Sequence, residues 1–374
     1  IAAPKITPIV TNRDSQSEFL SEIQTAQVQP IEPVFVDYKK DMSQFEAQPG
    51  IDVLYKKNET NDIFTLIYVF NTGTENDPAL NLAFNYLSYL GTDKMTAEEI
   101  ASKMYDIACS FYMNAGANQS SIQITGLSEN MGKAMEIVEG LIAGAKPDEA
   151  ILENCKADML KSRADAKLNQ SRCFGALQRY LFYGGDFIRR TTLTDPALQA
   201  LTSEQLLAKI GGLMGKQHEV LYYGPQKEAE VKSALAEHHK VAADLQPLEK
   251  KFSTLLPTDA NKVVLAQYDA KQLYYLQFSN RGEKFDVAAD PEITLYNEYF
   301  GGGMNTIVFQ EMREARGLAY TAWATLATPS NANGDYSYYA FIATQNDKMQ
   351  KAVEAFDDII NNMPESEKAF GIAK

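Results

Sequence analysis

Residues 62–71 read Asp-Ile-Phe-Thr-Leu-Ile-Tyr-Val-Phe-Asn, with Phe64, Leu66, Tyr68 and Phe70 alternating against Thr65, Ile67 and Val69. A period of two in β-branched and aromatic residues predicts a largely buried strand. The pattern then turns helical. Asp77-Pro78 opens a helix expected to reach Leu90, and Thr96-Ala97-Glu98-Glu99 is a capping box that starts a second one ending near Cys109. Strands follow near 111–114 and 120–125, then a helix over 130–143. Pro147-Asp148-Glu149 opens a long helix to about residue 169. Helices near 174–182 and 203–213, a strand at 219–223 and a helix near 226–237 complete this series.

A second series repeats the first. Its strands are expected at 263–268, 273–278, 320–325 and 336–344, and its helices at 291–300, 305–316 and 348–362. Tyr89-Leu90-Gly91 is echoed by Tyr299-Phe300-Gly301, and Ile124, Met131, Lys133, Ala134, Leu141 and Ile142 by Ile342, Met349, Lys351, Ala352, Ile359 and Ile360. Two matches in order, each at the same place in a strand–helix pattern, mark an internal repeat. Only the first copy continues past its Pro147 helix. The second ends just after Pro364-Glu365-Ser366-Glu367, so roughly one hundred residues of it are expected to be absent, a sizeable part of a typical domain. The prediction is an α+β fold: two homologous modules, each an antiparallel sheet with helices on one face, the second truncated. The expected boundaries are a linker arm over 1–50, a first module over 51–257 and a second over 258–374. Pro4, Pro8, Pro30 and Pro33 punctuate the arm, with one short helix expected at 15–26.

Composition narrows the function classes. The chain has 374 residues, 45% of them hydrophobic, enough for real cores, and no apolar run of membrane-spanning length. A formal net charge of −14 argues against nucleic acid, whose phosphates would be repelled, and weakly favours basic peptides. Cys109, Cys155 and Cys173 are odd in number and lack metal-ligand spacing, so buried or inert thiols are expected. The chain begins at Ile1 without a methionine, basic leader or apolar signal core, so a cut fragment or processed product is expected. No compartment follows from it.

The chemistry concentrates in residues 299–320. Gly301, Gly302 and Gly303 break the chain, a helix carries Ile307, Val308 and Met312 on one face, and Gly317 terminates it. Arg313 precedes Tyr320 by seven positions, so a guanidinium one turn before the helix end meets a phenol just beyond it. Held together, the two can donate hydrogen bonds toward one oxygen. On the residues alone, a surface arginine and a half-buried strand tyrosine are the commoner outcome. The glycine run lacks a following Lys-Ser/Thr and reads as a hinge rather than a phosphate loop. His218, His238 and His239 lack ligand spacing, so solvated or locally hydrogen-bonded rings are expected.

Around Arg316-Gly317-Leu318-Ala319-Tyr320 the segment resembles the C-terminal-half motif of the pitrilysin/insulinase-like zinc metallopeptidases, the inverzincins, and the segment order from about Ile51 onward is similar too. The resemblance implies α/β-roll domains, two per half, with halves that close like a clamshell. It implies that Arg313 and Tyr320 reach a zinc site in the other half, bind the scissile-region carbonyl and stabilise its oxyanion, and that Gly301, Gly302 and Gly303 flank the substrate chamber. The family's His-x-x-Glu-His supplies two zinc ligands and the glutamate that polarises water. Aligned on Gly91-Thr92, those places hold Leu82, Asn85 and Tyr86, and the third ligand would fall near Met159-Leu160-Lys161-Ser162. The second module's helix has Glu292, Leu295 and Tyr296. No metal site is therefore expected here.

The expected function is that of the non-zinc-binding C-terminal half of a bacterial two-half zinc metalloendopeptidase, inactive alone. Its zinc would be held by an N-terminal half. Its partners would be that catalytic half and peptide substrates, with no nucleic acid and no membrane span. The alternative is a non-catalytic family member, a scaffold or partner subunit of an active peptidase; a weaker third is an unrelated peptide-binding module. The compartment stays open, with a bacterial periplasm or cell envelope as candidate.

Overall fold

The computed structural model describes residues 17–29, 31–248 and 252–374. Pro4, Pro8, Pro30 and residues 15–16 of the expected first helix lie outside these. Residues up to Met42 form one unit and Ser43–Lys374 a second. In the first, α1 (Glu18–Thr25) starts at Ser17, whose hydroxyl accepts from the Leu20 amide.

The second unit begins with a strand inside the stretch expected to be arm. Six strands, β1 (Ser43–Gln48), β2 (Ile51–Lys57), β3 (Ile63–Phe70), β4 (Cys109–Ala115), β5 (Ser120–Leu127) and β6 (His218–Gly224), form one sheet in the order β1-β2-β6-β3-β5-β4. On β3 the expected alternation holds: Phe64, Leu66, Tyr68 and Phe70 are buried, and Thr65, Ile67 and Val69 half-buried. Burying each such aromatic or aliphatic side chain stabilises by roughly 1.5–3 kcal/mol. The sheet is not wholly antiparallel, because β6 runs parallel to β2. It returns only after three further strands and the helices that accompany them, a connection long enough for the crossover a parallel pair requires.

The helices are α2 (Leu80–Leu87), α3 (Ala97–Asp106), α4 (Met131–Gly144), α5 (Glu149–Lys167), α6 (Gln170–Thr191), α7 (Asp195–Ala200), α8 (Ser203–Met214) and α9 (Glu228–His238). The Thr96–Glu99 capping box forms at α3 as expected. At α2 the helix is shorter than expected, because Asp77 Oδ1 accepts from the Ala79 amide and holds a turn ahead of it. Helix α6 is longer than expected. Asn169 caps its start, and Gly184, with φ 80°, puts a non-helical break within it.

A second sheet contains β7 (Gln272–Ser279), β8 (Thr321–Ala327) and β9 (Ser337–Gln345) in the order β7-β9-β8, the same arrangement as β3-β5-β4. The registers correspond: Leu66 faces Ile124 in the first sheet and Tyr275 faces Ile342 in the second, and both isoleucines are fully buried. Its helices are α10 (Asp290–Phe300), α11 (Ile307–Phe309), α12 (Met349–Asn361) and α13 (Glu367–Ala373).

Three expectations need correction. No strand forms at 263–268, where Val263 and Leu265 are exposed. Its first-sheet counterpart β2 is held between β1 and β6, and among the described residues the second sheet has no counterpart of β6 to supply that ladder. Helices do not cover only one face of the second sheet. Phe174 of α6 packs on Tyr274 and Phe341, and Phe182 on Phe278 and Tyr339, while α10 to α12 fill the opposite side around Phe300, Met312 and Phe356. Finally, Tyr89 is not the counterpart of Tyr299. Tyr89 is exposed, whereas Tyr86 bonds across to the start of α5 as Tyr299 does to the start of α13.

Candidate functional site

The glycine run follows directly on α10. Gly301 receives the end of that helix through its amide bond to the Asn297 carbonyl and is joined to β8 by the bond from the Ala324 amide to its own oxygen, 3.1 Å. A Cβ there would collide with the Ala324 carbonyl, so this glycine is required by the close approach of helix to strand. Gly302 and Gly303 are exposed, and a Cβ on Gly303 meets nothing. The Gly303 oxygen accepts from the Thr306 amide and hydroxyl, which launches the motif helix. Asn297 also donates to the Leu326 carbonyl and accepts from the Leu326 amide, covering the outer edge of β8.

The motif helix is not a plain α-helix. After Ile307–Phe309 it widens into a π-helical turn over Gln310–Ala315, closed by the bond from the Arg316 amide to the Glu311 carbonyl, 3.1 Å. Ile307, Val308 and Met312 are buried as expected. Gly317, with φ 55°, ends the turn, and the Leu318 and Ala319 amides both donate to the Met312 carbonyl. Arg316 ties the turn to α12 through Glu311 at 3.3 Å and Asp358 at 3.5 Å.

The structure brings Arg313 and Tyr320 together. The guanidinium carbon lies 5.3 Å from the centre of the Tyr320 ring and 5.0 Å from that of Phe309, within cation–π range of both. Tyr320 is 68% exposed, and its amide donates to the Ala343 carbonyl at 3.0 Å, which fixes the ring at the mouth of β8. The Arg313 side chain is 42% exposed, with Glu314 3.5 Å from Nε. An ion pair this exposed is weak, so the aromatic faces set the guanidinium's position. Sequence reading missed Phe309. Its signal was there: it precedes Arg313 by four residues, one helical turn on the same face.

The residues in place of the zinc motif do not fit zinc. Leu82 and Tyr86 are buried in the core. The Tyr86 hydroxyl accepts from the Asp148 amide at 2.7 Å and donates to the Ser203 hydroxyl at 2.8 Å. Asn85 meets Cys155 of α5, at 3.8 Å from its Sγ, one turn before the expected third-ligand position, and burial pushes that thiol up from its usual range. An aliphatic, a committed phenol, an amide and a protonated thiol make no tetrahedral donor set. Among the described residues no group of three or more His, Cys, Asp or Glu is placed to hold a metal ion. Of the histidines expected to be solvated or locally hydrogen-bonded, His218 meets the Lys216 carbonyl two residues away, but His218 and His239 are buried and bonded to each other rather than solvated.

Comparison with known proteins gives a consistent picture. Residues 217–369, from the start of β6 into α13, match the Peptidase M16 inactive domain. An uncharacterized zinc protease of Streptomyces coelicolor is 22% identical over 266 residues, which cover 66% of this chain and 56% of the relative. The crystal structure of a peptidase M16 inactive domain from Pseudomonas fluorescens matches with a TM-score of 0.69 at 16% identity, over 89% of this chain and 82% of that one. The periplasmic protease PqqL of Escherichia coli matches with a TM-score of 0.71 at 13% identity, over 99% of this chain but 41% of that one. The chain thus spans about half the length of the Streptomyces relative and less than half of the Escherichia coli protein. Residues 217–369 are thus similar to the inactive domain of the M16 peptidases, and the chain is similar to proteins named zinc proteases and shares the fold of an M16 inactive domain.

Proposed function

We propose that this chain is the non-zinc-binding half of a zinc-dependent metalloendopeptidase, closing over a catalytic half that carries His-x-x-Glu-His. Residues 51–257 and 258–374 act as its two modules, and peptide is the substrate. Arg313 and Tyr320 donate hydrogen bonds to the substrate carbonyl and to the oxyanion it becomes, while Gly302 and Gly303 line the approach. The observation that carries this reading is the Arg313 guanidinium, itself partly exposed, lying 5.3 Å from the centre of an exposed Tyr320 ring beside the π turn. An arginine kept only for solubility has no need of a π turn and an aromatic seat. The periplasmic setting of the Escherichia coli relative supports the same compartment here.

The residues that replace the zinc motif do not fit the metal, so no step of catalysis is assigned to zinc in this chain. The scaffold alternative shares that feature and differs in what Arg313 and Tyr320 do. The deciding experiment is a peptidase assay on this chain alone and on the chain joined to its zinc-bearing half. Activity only in the joined form, weakened by changes at Arg313 and Tyr320, supports the proposal. Activity in the chain alone overturns it, and a joined enzyme indifferent to both residues leaves the scaffold role.

A further inference from the structure

A second polar grouping lies under the first sheet, away from Arg313. His218, at the start of β6, is 3% exposed and His239, just past α9, 6% exposed. Their Nε2 atoms face each other at 2.9 Å. The other nitrogens are engaged as well: His218 Nδ1 lies 2.8 Å from the Lys216 carbonyl oxygen, and His239 Nδ1 2.5 Å from Glu139 Oε1 on α4. A carbonyl oxygen only accepts, so His218 Nδ1 carries hydrogen. A neutral His218 then has a bare Nε2 that must accept, and His239 Nε2 supplies that hydrogen. This leaves His239 Nδ1 against a carboxylate, where two lone pairs can be this close only with a proton between them. The three side chains therefore hold one proton more than two neutral imidazoles and an ionised carboxylate contain.

We infer that Glu139, His239 and His218 form a single-proton latch, a buried imidazolium–carboxylate pair capped by a neutral imidazole, that ties the segment after α9 to β6 and α4 and opens when a second proton arrives. The second proton has one nitrogen left to bind, His218 Nε2. Bound there it faces the hydrogen of His239 Nε2, donor against donor, in a site with no water-like dielectric to soften the repulsion. The latched segment is the one that leads from the first sheet toward the second. It is also stitched to the entrance of β6 by bonds from the Gln217 amide to the Gln246 carbonyl and from the Gln246 amide to the Gly215 carbonyl.

Among the described residues the surroundings offer the second proton no counter-charge beyond Glu139. From β3, the Tyr68 ring packs 4.2 Å from His239, and burial with the Glu139 carboxylate nearby keeps that phenol protonated. Phe70 packs 4.7 Å from His218. On β6 itself, Glu219 points to the opposite face of the sheet, toward Asn71. At the end of α9, His238 pairs at 3.9 Å with the exposed Glu237, and the Lys240 ammonium donates to the Ala236 carbonyl. Burial accordingly lowers His218 from its usual 6.5 to about 4. A ring depressed on folding favours the closed form above the unfolded value and loses that contribution as pH falls toward the folded one. The window is about pH 6.5 down to 4.

Ring spectra of the chain labelled with ¹⁵N-histidine test this directly, since it contains three histidines. At pH 7 the expected result is an imidazolium at His239 and a neutral His218 protonated on Nδ1. As pH falls from 6.5 to 4, amide protection over 239–246 should drop on the order of 100-fold, the linkage expected from such a shift. In Glu139→Gln the side-chain amide can donate to a bare Nδ1, so the network closes around a neutral His239 and the imidazolium signal disappears. In His218→Gln the acid response of 239–246 should vanish. A neutral His239 in the unaltered chain at pH 7, or an unchanged acid response in His218→Gln, overturns the latch. Should either variant fail to fold, the spectra and protection of the unaltered chain still decide.

Discussion

Tyr86 and Tyr299 hold equivalent positions in the two modules, each phenol clamping the start of the next helix. The Tyr86 hydroxyl contacts Asp148, the N-cap of α5, through both its amide and its carbonyl. The Tyr299 hydroxyl accepts from the amide of Ser366, the N-cap of α13, and donates to the Pro364 carbonyl at 2.8 Å. This helix therefore carries the same pin in both copies.

The two pins predict unequal costs. Tyr86→Phe strands the buried Ser203 hydroxyl and the Asp148 amide, so unfolding in urea should show a loss of about 1–3 kcal/mol. Tyr299 is only half-buried, and water can replace its hydroxyl, so Tyr299→Phe should cost less than about 1 kcal/mol. Equal losses, or none at Tyr86, would refute the pin.

Glycines in the run should likewise separate by position. Gly301→Ala forces a methyl into the β8 backbone, which cannot yield without breaking the Ala324 bond; a loss of about 2–4 kcal/mol or failure to fold is expected. Gly303→Ala meets open space and should change stability by less than about 0.5 kcal/mol. Paired melts of the two variants check this. A tolerated Gly301→Ala would mean that the approach of α10 to β8 is looser than its geometry says.

Local rules carried much of this fold. The alternation on β3, the Thr96 capping box and the Gly317 stop were legible because each depends on residues within one turn or one strand. The repeat was legible too, but its alignment slipped by a helical turn. Counterparts lie 209 residues apart at Leu66 and Tyr275, 213 at Tyr86 and Tyr299, and 218 at Ile124 and Ile342, so no single offset serves. Strand β1 was hidden because its sequence, Ser-Gln-Phe-Glu-Ala-Gln, is that of a polar edge. The strand expected at 263–268 had the right propensity and no partner, and pairing decides. At the candidate site, the Arg313 and Tyr320 spacing was readable, while the π turn was not, since hydrogen-bond slippage leaves no periodicity in the side chains. The histidine latch was out of reach, with partners 21 and 100 residues apart.

Metal analysis offers a further check. Purified without its partner half, the chain should hold well under one zinc per molecule after dialysis, because Leu82, Asn85 and Tyr86 cannot coordinate it. One tightly held zinc with histidine coordination would overturn both the motif alignment and the latch, since His218 and His239 would then be the ligands.

The last prediction concerns chemistry. A group accelerates a reaction only if it binds the transition state better than the ground state, and a donor aimed at a developing oxyanion does so. Tyr320→Phe removes one hydroxyl and keeps the ring on which Arg313 rests, so the guanidinium stays in place. In the joined enzyme it should lower kcat roughly 10- to 1000-fold with little change in KM. If Arg313 meets the ground-state carbonyl as proposed, Arg313→Ala should raise KM as well as lower kcat. Phe309→Leu keeps the bulk but removes one of the two aromatic faces that seat the guanidinium; its effect should resemble a mild Arg313→Ala, about 3- to 10-fold in kcat/KM, as expected for an exposed cation–π contact of roughly 0.5–1 kcal/mol. None of the three ligates metal or fills the core, so zinc content and Tm should stay near those of the unaltered enzyme. Full activity in Tyr320→Phe would remove the oxyanion role, and a Tyr320→Phe defect confined to KM would reassign the phenol to substrate binding alone.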